Sequence, residues 1–101
     1  MAEPQNATGP TESGCPQEGH IKSPSSYDKA TITFDNETPA DVKIYWIGFD
    51  GKRKLYETLK AHTAINQATW IGHVWVVADQ TDQCMKLESA NAVAQTLVIN
   101  L

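Results

Sequence analysis

A histidine lies between two tryptophans in the segment WIGHVWVV, residues 70–77. An imidazole can donate and accept hydrogen bonds, and an indole offers a flat apolar surface with one N–H donor. His73 and Trp75 are two residues apart, so on a regular strand they face the same way. One interpretation is a shallow aromatic pocket whose polar groups bind a ligand. The plainer interpretation is a core tryptophan beside a half-buried histidine that makes its hydrogen bonds within the protein.

Three more side chains could complete such a pocket. Trp46, on a neighbouring predicted strand, could form a second wall, and Tyr56 could contribute a hydroxyl group. Thr69 joins His73 and Trp75 only if the strand keeps its register through Gly72, and glycine in a strand often marks a bulge. On these residue types alone the plainer interpretation is favoured, and a pocket of aromatic rings with a few polar groups stays the alternative.

Catalytic and metal-binding chemistry find little support. No pair of histidine and cysteine residues has the spacing of metal ligands. There is no G-x-S-x-G segment and no glycine-rich phosphate loop. The acidic residues are scattered, without a close pair suited to acid–base catalysis. We expect a protein that is not an enzyme and has no cofactor and no metal.

The charge balance bears on the class of partner. Eight basic and twelve acidic residues give a net charge of −4, which argues against nucleic-acid binding. The basic run at residues 52–54 follows Asp50-Gly51 and is typical of a solvated turn. No apolar run approaches the roughly 18 residues that span a bilayer, so no membrane partner is expected. We expect a monomer.

The first residues have neither a basic start nor an apolar stretch, so they do not form a signal peptide. The protein is then expected to be cytoplasmic if the chain is complete, and secreted if a signal was removed.

The composition changes near residue 29. Residues 1–29 hold four of the five prolines and few large apolar side chains, which predicts a disordered tail rich in Pro, Gly and Ser. Residues 30–101 contain every tryptophan and both phenylalanines and are the predicted folded domain. Cys15 and Cys84 could form one disulfide that pins the tail, but their spacing does not require it, and both states stay open.

The hydrophobic pattern of the domain has a period of two, which predicts strands. The Asp-Gly pair at residues 50–51 is a strong hairpin signal. A segment at 86–95 is a possible short helix. Six to eight short strands with regular turns predict an all-β sandwich or small barrel. The predicted strands lie at 30–35, 42–49, 54–59, 64–69, 73–78 and 95–101, with a further one possible at 84–89.

Four motifs together point to a known family. They are FDNETP at 34–39, WIGFDG at 46–51, YETL at 56–59 and WIGHVWVVAD at 70–79. In order and spacing they resemble the β domain of the von Hippel–Lindau tumour suppressor family, without a gap from about residue 32 to residue 79. The resemblance implies a β-sandwich of seven to eight strands, of the prealbumin-like kind.

The resemblance also implies a function. The family binds a peptide that contains 4-hydroxyproline, the oxygen-dependent degradation signal of hypoxia-inducible factor. By position, Trp46 and Trp75 resemble the walls around the pyrrolidine ring. Tyr56 resembles the hydroxyl that bonds the peptide backbone, and His73 resembles the imidazole that bonds the hydroxyproline hydroxyl. Thr69 stands where the family has a serine.

Some positions depart from the family pattern. Ala68 stands where the family has a histidine, and Trp70 replaces another aromatic residue. Glu57 and Ile65 replace a proline and an arginine near the groove, so the peptide flanks should be recognised differently. The chain ends at Leu101, without the helical domain that recruits elongin C in the family, so no binding of elongin C is expected.

The leading prediction is a module that binds a hydroxyproline- or proline-containing peptide or protein. The alternative is a structural, dimerisation or accessory sandwich module of a larger or secreted protein, with a vestigial pocket. A third hypothesis is an accessory domain that docks collagen-like substrates for a secreted enzyme. The predicted site consists of Trp46, Tyr56, Ala68, Thr69, Trp70, His73 and Trp75.

Overall fold

The computed structural model describes residues 14–100 and contains seven strands in two sheets. In the first sheet the strand order is β4-β1-β7, and in the second it is β3-β2-β5-β6. Across the described residues no helix forms, so none is present that could span a membrane. The strands are β1 (Lys29–Asn36), β2 (Val42–Ile47), β3 (Arg53–Leu59), β4 (Ala64–Trp70), β5 (Val74–Ala78), β6 (Cys84–Ser89) and β7 (Ala94–Ile99).

The prediction of an all-β sandwich is confirmed. The possible helix at 86–95 does not form, because its first half belongs to β6 and its last residues begin β7. Over so short a stretch its apolar positions fit both the helical period of 3.6 and the strand period of two. Pairing with neighbouring strands then selects the extended form. The core between the sheets is built from alternate residues of the strands, with Ile32, Phe34, Val42, Ile44, Trp75, Val77, Leu97 and Ile99 at its centre.

The central strand β5 is buried on both faces. Trp75 and Val77 point into the core between the sheets. Val74, Val76 and Ala78 point the other way, into a second apolar cluster. This explains why β5 is a continuous apolar run, whereas strands with one solvent-facing side alternate.

The outer cover of β5 is residues 14–28, which we call the N-terminal segment. A disulfide joins Cys15 to Cys84 at the start of β6, and both cysteines pack in the second cluster. The backbone N–H of Ser23 donates to the carbonyl of Gly48 over 3.3 Å. This corrects the prediction of a disordered tail for residues 14–28, because a covalent link and distant backbone partners hold a segment that has little apolar surface. Residues 1–13 and Leu101 lie outside the described residues.

The fully buried Asn36 ties two turns together at the end of β1. Its Nδ2 donates to the carbonyls of Ala40 at 2.9 Å, Leu59 at 3.1 Å and Lys60 at 3.2 Å. Its Oδ1 accepts from the backbone N–H and the hydroxyl of Thr38. One side chain thus satisfies polar groups of the β1–β2 turn and of the chain that leaves β3.

Candidate functional site

A cavity of about 210 Å³ opens at the end of the sandwich where the chain passes from β4 in one sheet to β5 in the other. We call it the aromatic cavity. All seven residues of the sequence-predicted site line it, together with Phe49. The lining residues are Trp46, Phe49, Tyr56, Ala68, Thr69, Trp70, His73 and Trp75.

The turn between β4 and β5 brings the polar residues of the cavity together. The N–H of His73 donates to the carbonyl of Trp70 over 3.0 Å, which closes the turn around Gly72. Gly72 has a φ of +92°, and a Cβ there would come within 3.0 Å of Pro24 Cγ. A glycine is needed for both reasons, since other residues rarely adopt this conformation and would collide with the proline ring. Thr69 therefore reaches His73 across a turn, and not along one continuous strand.

Aromatic rings meet edge to face around the cavity. The ring centroids of Tyr56 and Trp75 are 5.0 Å apart, and those of Trp46 and Tyr56 are 6.3 Å apart. The rings of Phe49 and Trp46 meet edge to face, as do those of Phe49 and His73. Trp75 is buried at the base, whereas Tyr56 and Phe49 are more than half exposed at the rim. The cavity thus has rigid apolar walls and an accessible mouth.

The indole of Trp46 determines which nitrogen of the His73 ring acts as a hydrogen-bond acceptor. Trp46 Nε1 donates to His73 Nδ1 over 3.1 Å, so Nδ1 acts as an acceptor. In a neutral imidazole the proton is then on Nε2, which makes Nε2–H a donor. Within residues 14–100, Nε2 has no hydrogen-bond partner. His73 therefore brings one unused donor to a buried position in the wall of the cavity.

The second indole engages Thr69 in the same way. Trp75 Nε1 donates to Thr69 Oγ1 over 2.9 Å, and the bond is buried. This uses one lone pair of the hydroxyl oxygen and leaves its O–H and its second lone pair available. Thr69 and His73 together present an unused donor on the imidazole and a hydroxyl that can either donate or accept.

A sequence model of the VHL beta domain family matches residues 21–96. The chain belongs to this family. The match begins inside the N-terminal segment, so part of that segment is included in the VHL beta domain. In this family the domain is a recognition module for hydroxyproline-containing substrates and is not catalytic. A search of curated proteins finds no match.

Phe49 is the lining residue of this VHL beta domain that sequence reasoning missed. It lies just after β2 in the WIGFDG motif, of which only Trp46 belongs to the predicted site. Its position three residues after Trp46 was the available signal, because a chain that turns at Asp50-Gly51 returns next to the strand that it has just left. Ala68 and Trp70 flank Thr69 at the mouth and also line a larger groove of about 400 Å³ beside β4 and β1.

No Asp, Glu, Lys or Arg lines the aromatic cavity of this VHL beta domain. Residues 14–100 also contain no group of three His, Cys, Asp or Glu side chains that could hold a metal ion. The polar groups of the side chains that line the cavity are an imidazole, three indoles, a threonine hydroxyl and a phenol. Such a set suits an uncharged ring that carries a hydroxyl group.

Lys43, Arg53, Asp82 and Glu18 form a network with Tyr45, on the face of β2 opposite to Trp46. Tyr45 and Lys43 both donate to Asp82 and hold the pKa of that carboxyl below its usual value. Arg53 lies over the ring of Tyr45, with 4.9 Å from its Cζ to the ring centroid, and forms an ion pair with Glu18 of the N-terminal segment. Hydrogen bonding to Glu18 raises the pKa of Arg53. This network attaches the N-terminal segment and takes no part in the cavity.

Proposed function

We propose that this domain binds an extended peptide that carries 4-hydroxyproline, with the pyrrolidine ring in the aromatic cavity. The observation that carries the proposal is the pair of unused polar groups, His73 Nε2–H and the Thr69 hydroxyl, in a wall made otherwise of rings. A cavity of about 210 Å³ is smaller than the roughly 300 Å³ at which drug-sized sites begin, so it suits one residue of a peptide.

The hydroxyl group of the ligand decides the selectivity. It accepts a hydrogen bond from His73 Nε2–H and donates to the free lone pair of Thr69 Oγ1. Plain proline makes the same contacts with the walls formed by Trp46 and Trp75, but it leaves His73 Nε2–H and the second lone pair of Thr69 Oγ1 desolvated without a partner. Such a loss is worth about 1–3 kcal/mol, or roughly ten- to a hundredfold in affinity.

The peptide flanks would run along β4. This strand is at the edge of its sheet and pairs only with β1, so its outer backbone groups are available to an added strand. The groove of about 400 Å³ lined by residues of β4 and β1 adjoins the aromatic cavity through Ala68, Thr69 and Trp70. Tyr56, half exposed at the rim, can offer its hydroxyl to the peptide backbone.

The test is a titration with two peptides that differ only in hydroxylation of the central proline. Amide chemical shifts report where each binds, and the ratio of the two dissociation constants reports selectivity. We expect the hydroxylated peptide to bind at least about tenfold tighter and to shift the residues that line the cavity. His73→Ala should reduce the ratio, whereas His62→Asn, which alters an exposed histidine outside the cavity, should leave it unchanged. Equal binding of both peptides to wild type would mean that the cavity is vestigial and would leave a structural role.

A further inference from the structure

The N-terminal segment reaches the residues next to the Trp46–His73 pair. The hydroxyl of Ser23 donates to the carbonyl of Ile47, which follows Trp46 in β2. The same hydroxyl accepts from the backbone N–H of Val74, which follows His73, over 2.9 Å. Ser23 is 2% exposed, so no water replaces these bonds. One side chain therefore fastens the backbones that carry the two partners of the 3.1 Å indole–imidazole bond.

The segment also touches the turn that precedes His73. The ring of Pro24 lies directly over Gly72, at the place where a Cβ would come within 3.0 Å of Pro24 Cγ. The carbonyl of Asp28 accepts the N–H of Ile71 over 2.8 Å. Pro24 and Asp28 thus hold the turn from outside the sandwich, and Ser23 holds the start of β5 that follows it.

We propose that Ser23 is a positioning residue for hydroxyproline selectivity, and that the Cys15–Cys84 disulfide makes this selectivity depend on the redox state. The proposal rests on the binding function proposed above. Ser23 touches no ligand; it acts by keeping His73 Nδ1 on the Trp46 indole, which directs Nε2–H to the ligand hydroxyl. A displaced ring loses this donor, while the walls that pack a proline ring stay in place.

The disulfide is the strongest attachment of the segment. It links residues 69 apart in sequence. The segment's non-covalent side-chain anchors include the Glu18–Arg53 ion pair, the packing of Ile21 and Pro24, and the hydrogen bonds of Ser23. A dithiol reductant would open it by two exchange steps. One reductant thiolate attacks a cysteine sulfur and forms a mixed disulfide, and its second thiol then displaces the protein thiolate. The reductant leaves as a disulfide, and after protonation Cys15 and Cys84 are both thiols.

Burial sets the speed of this switch. Cys15 is 5% exposed and Cys84 is 3% exposed, so a reductant reaches them only when the segment lifts from β6. Once reduced, the segment keeps only non-covalent anchors and visits open states more often, because closing a long loop without a cross-link costs chain entropy. The oxidised form is therefore the selective one.

The first experiment tests, without any peptide, whether Ser23 and the disulfide maintain the Trp46–His73 hydrogen bond. Solvent exchange of the Trp46 and Trp75 indole N–H groups is measured by NMR in the oxidised protein, after dithiothreitol, and in Ser23→Ala with the disulfide intact. We expect Trp46 exchange to accelerate by about tenfold or more in both perturbed states. Trp75, whose N–H is bonded to Thr69 on the other side of the cavity, serves as the internal control for an intact fold. His20→Ala, an exposed change in the same segment, should alter neither signal.

The second experiment measures the ratio of the affinities for hydroxylated and plain peptide in the same states. The ratio should fall by about fivefold or more on reduction and in Ser23→Ala, with the plain peptide binding nearly as before. Unchanged Trp46 exchange and an unchanged ratio in Ser23→Ala would overturn the inference and leave the segment as a stabilising cover. Equal binding of both peptides to the oxidised wild type would instead refute the binding function, and the indole exchange would still decide whether Ser23 positions the pair.

Discussion

Replacing Thr69 with valine removes a hydroxyl group that accepts the indole N–H of Trp75 and, in the proposed complex, bonds the ligand hydroxyl. Valine has nearly the same shape but no oxygen, so the N–H of Trp75 loses the acceptor that it bonds over 2.9 Å. Trp75 is 2% exposed and Thr69 is 5% exposed, which leaves no room for water to substitute. An orphaned buried donor costs about 1–3 kcal/mol. A loss near 2 kcal/mol lowers the melting temperature of a domain of this size by about 10 °C.

Thermal unfolding followed by tryptophan fluorescence measures this loss, and Thr69→Ser is the matched control. Serine keeps the oxygen and removes one methyl group, at a cost of about 0.8 kcal/mol. The expected order of stability is wild type, then Thr69→Ser, then Thr69→Val. In peptide titrations Thr69→Ser should keep the preference for hydroxyproline and Thr69→Val should lose most of it. A Thr69→Val variant with the melting temperature of wild type would refute the assigned role of the Trp75–Thr69 hydrogen bond. Equal melting temperatures and equal hydroxyproline preference in Thr69→Ser and Thr69→Val would refute it as well.

Three further perturbations test the scaffold. Asn36→Ala should lower the free energy of unfolding by about 3 kcal/mol in urea titration, because buried carbonyls lose their donor; a loss below about 1 kcal/mol would contradict the tie between the turns. Changing Cys15 and Cys84 together to serine should cost about 4 kcal/mol, the chain-entropy value for residues 69 apart, and equal stability would show that the link constrains nothing. The pKa of Asp79 lies below its ordinary value of 3.8, chiefly because the Thr81 hydroxyl donates to it. The contribution of Asp79 to folding stability is fully present above pH 3.8 and is lost as the pH falls through the lowered pKa. Asp79→Ala should therefore have a lower melting temperature than wild type at about pH 7, and the difference should narrow near pH 2. A difference of constant size would argue against this linkage.

The strands were predictable where alternation is strong. In β2, Val42 and Ile44 face the core while Tyr45 and Ile47 face the second cluster, as the period of two indicates. The gathering of His73 with distant aromatic residues could not come from periodicity, because it depends on which strands become neighbours. The family resemblance supplied that information through spacing.

The N-terminal segment escaped prediction for a physical reason. Local composition measures how much apolar surface a segment brings, and residues 14–28 bring little. Their attachment comes from partners far along the chain, namely Cys84, Val74 and the turn at Gly72. The continuous apolar run of β5 was the one sequence signal that its outer face needs a cover.

The parallel pairing of β1 with β7 governs how this domain can be made. β1 lies in the middle of its sheet, and its ladder with β7 runs from Thr31 opposite Ala94 to Asn36 opposite Ile99. A ribosome produces β1 first and β7 last, so one edge of β1 stays open until residues 94–99 have left the exit tunnel. During that interval the nascent chain exposes the unpaired backbone N–H and C=O groups of a strand with apolar side chains, and these groups can pair with other chains. Folding is therefore completed after synthesis of the whole domain, and a chain that stops before residue 94 should aggregate.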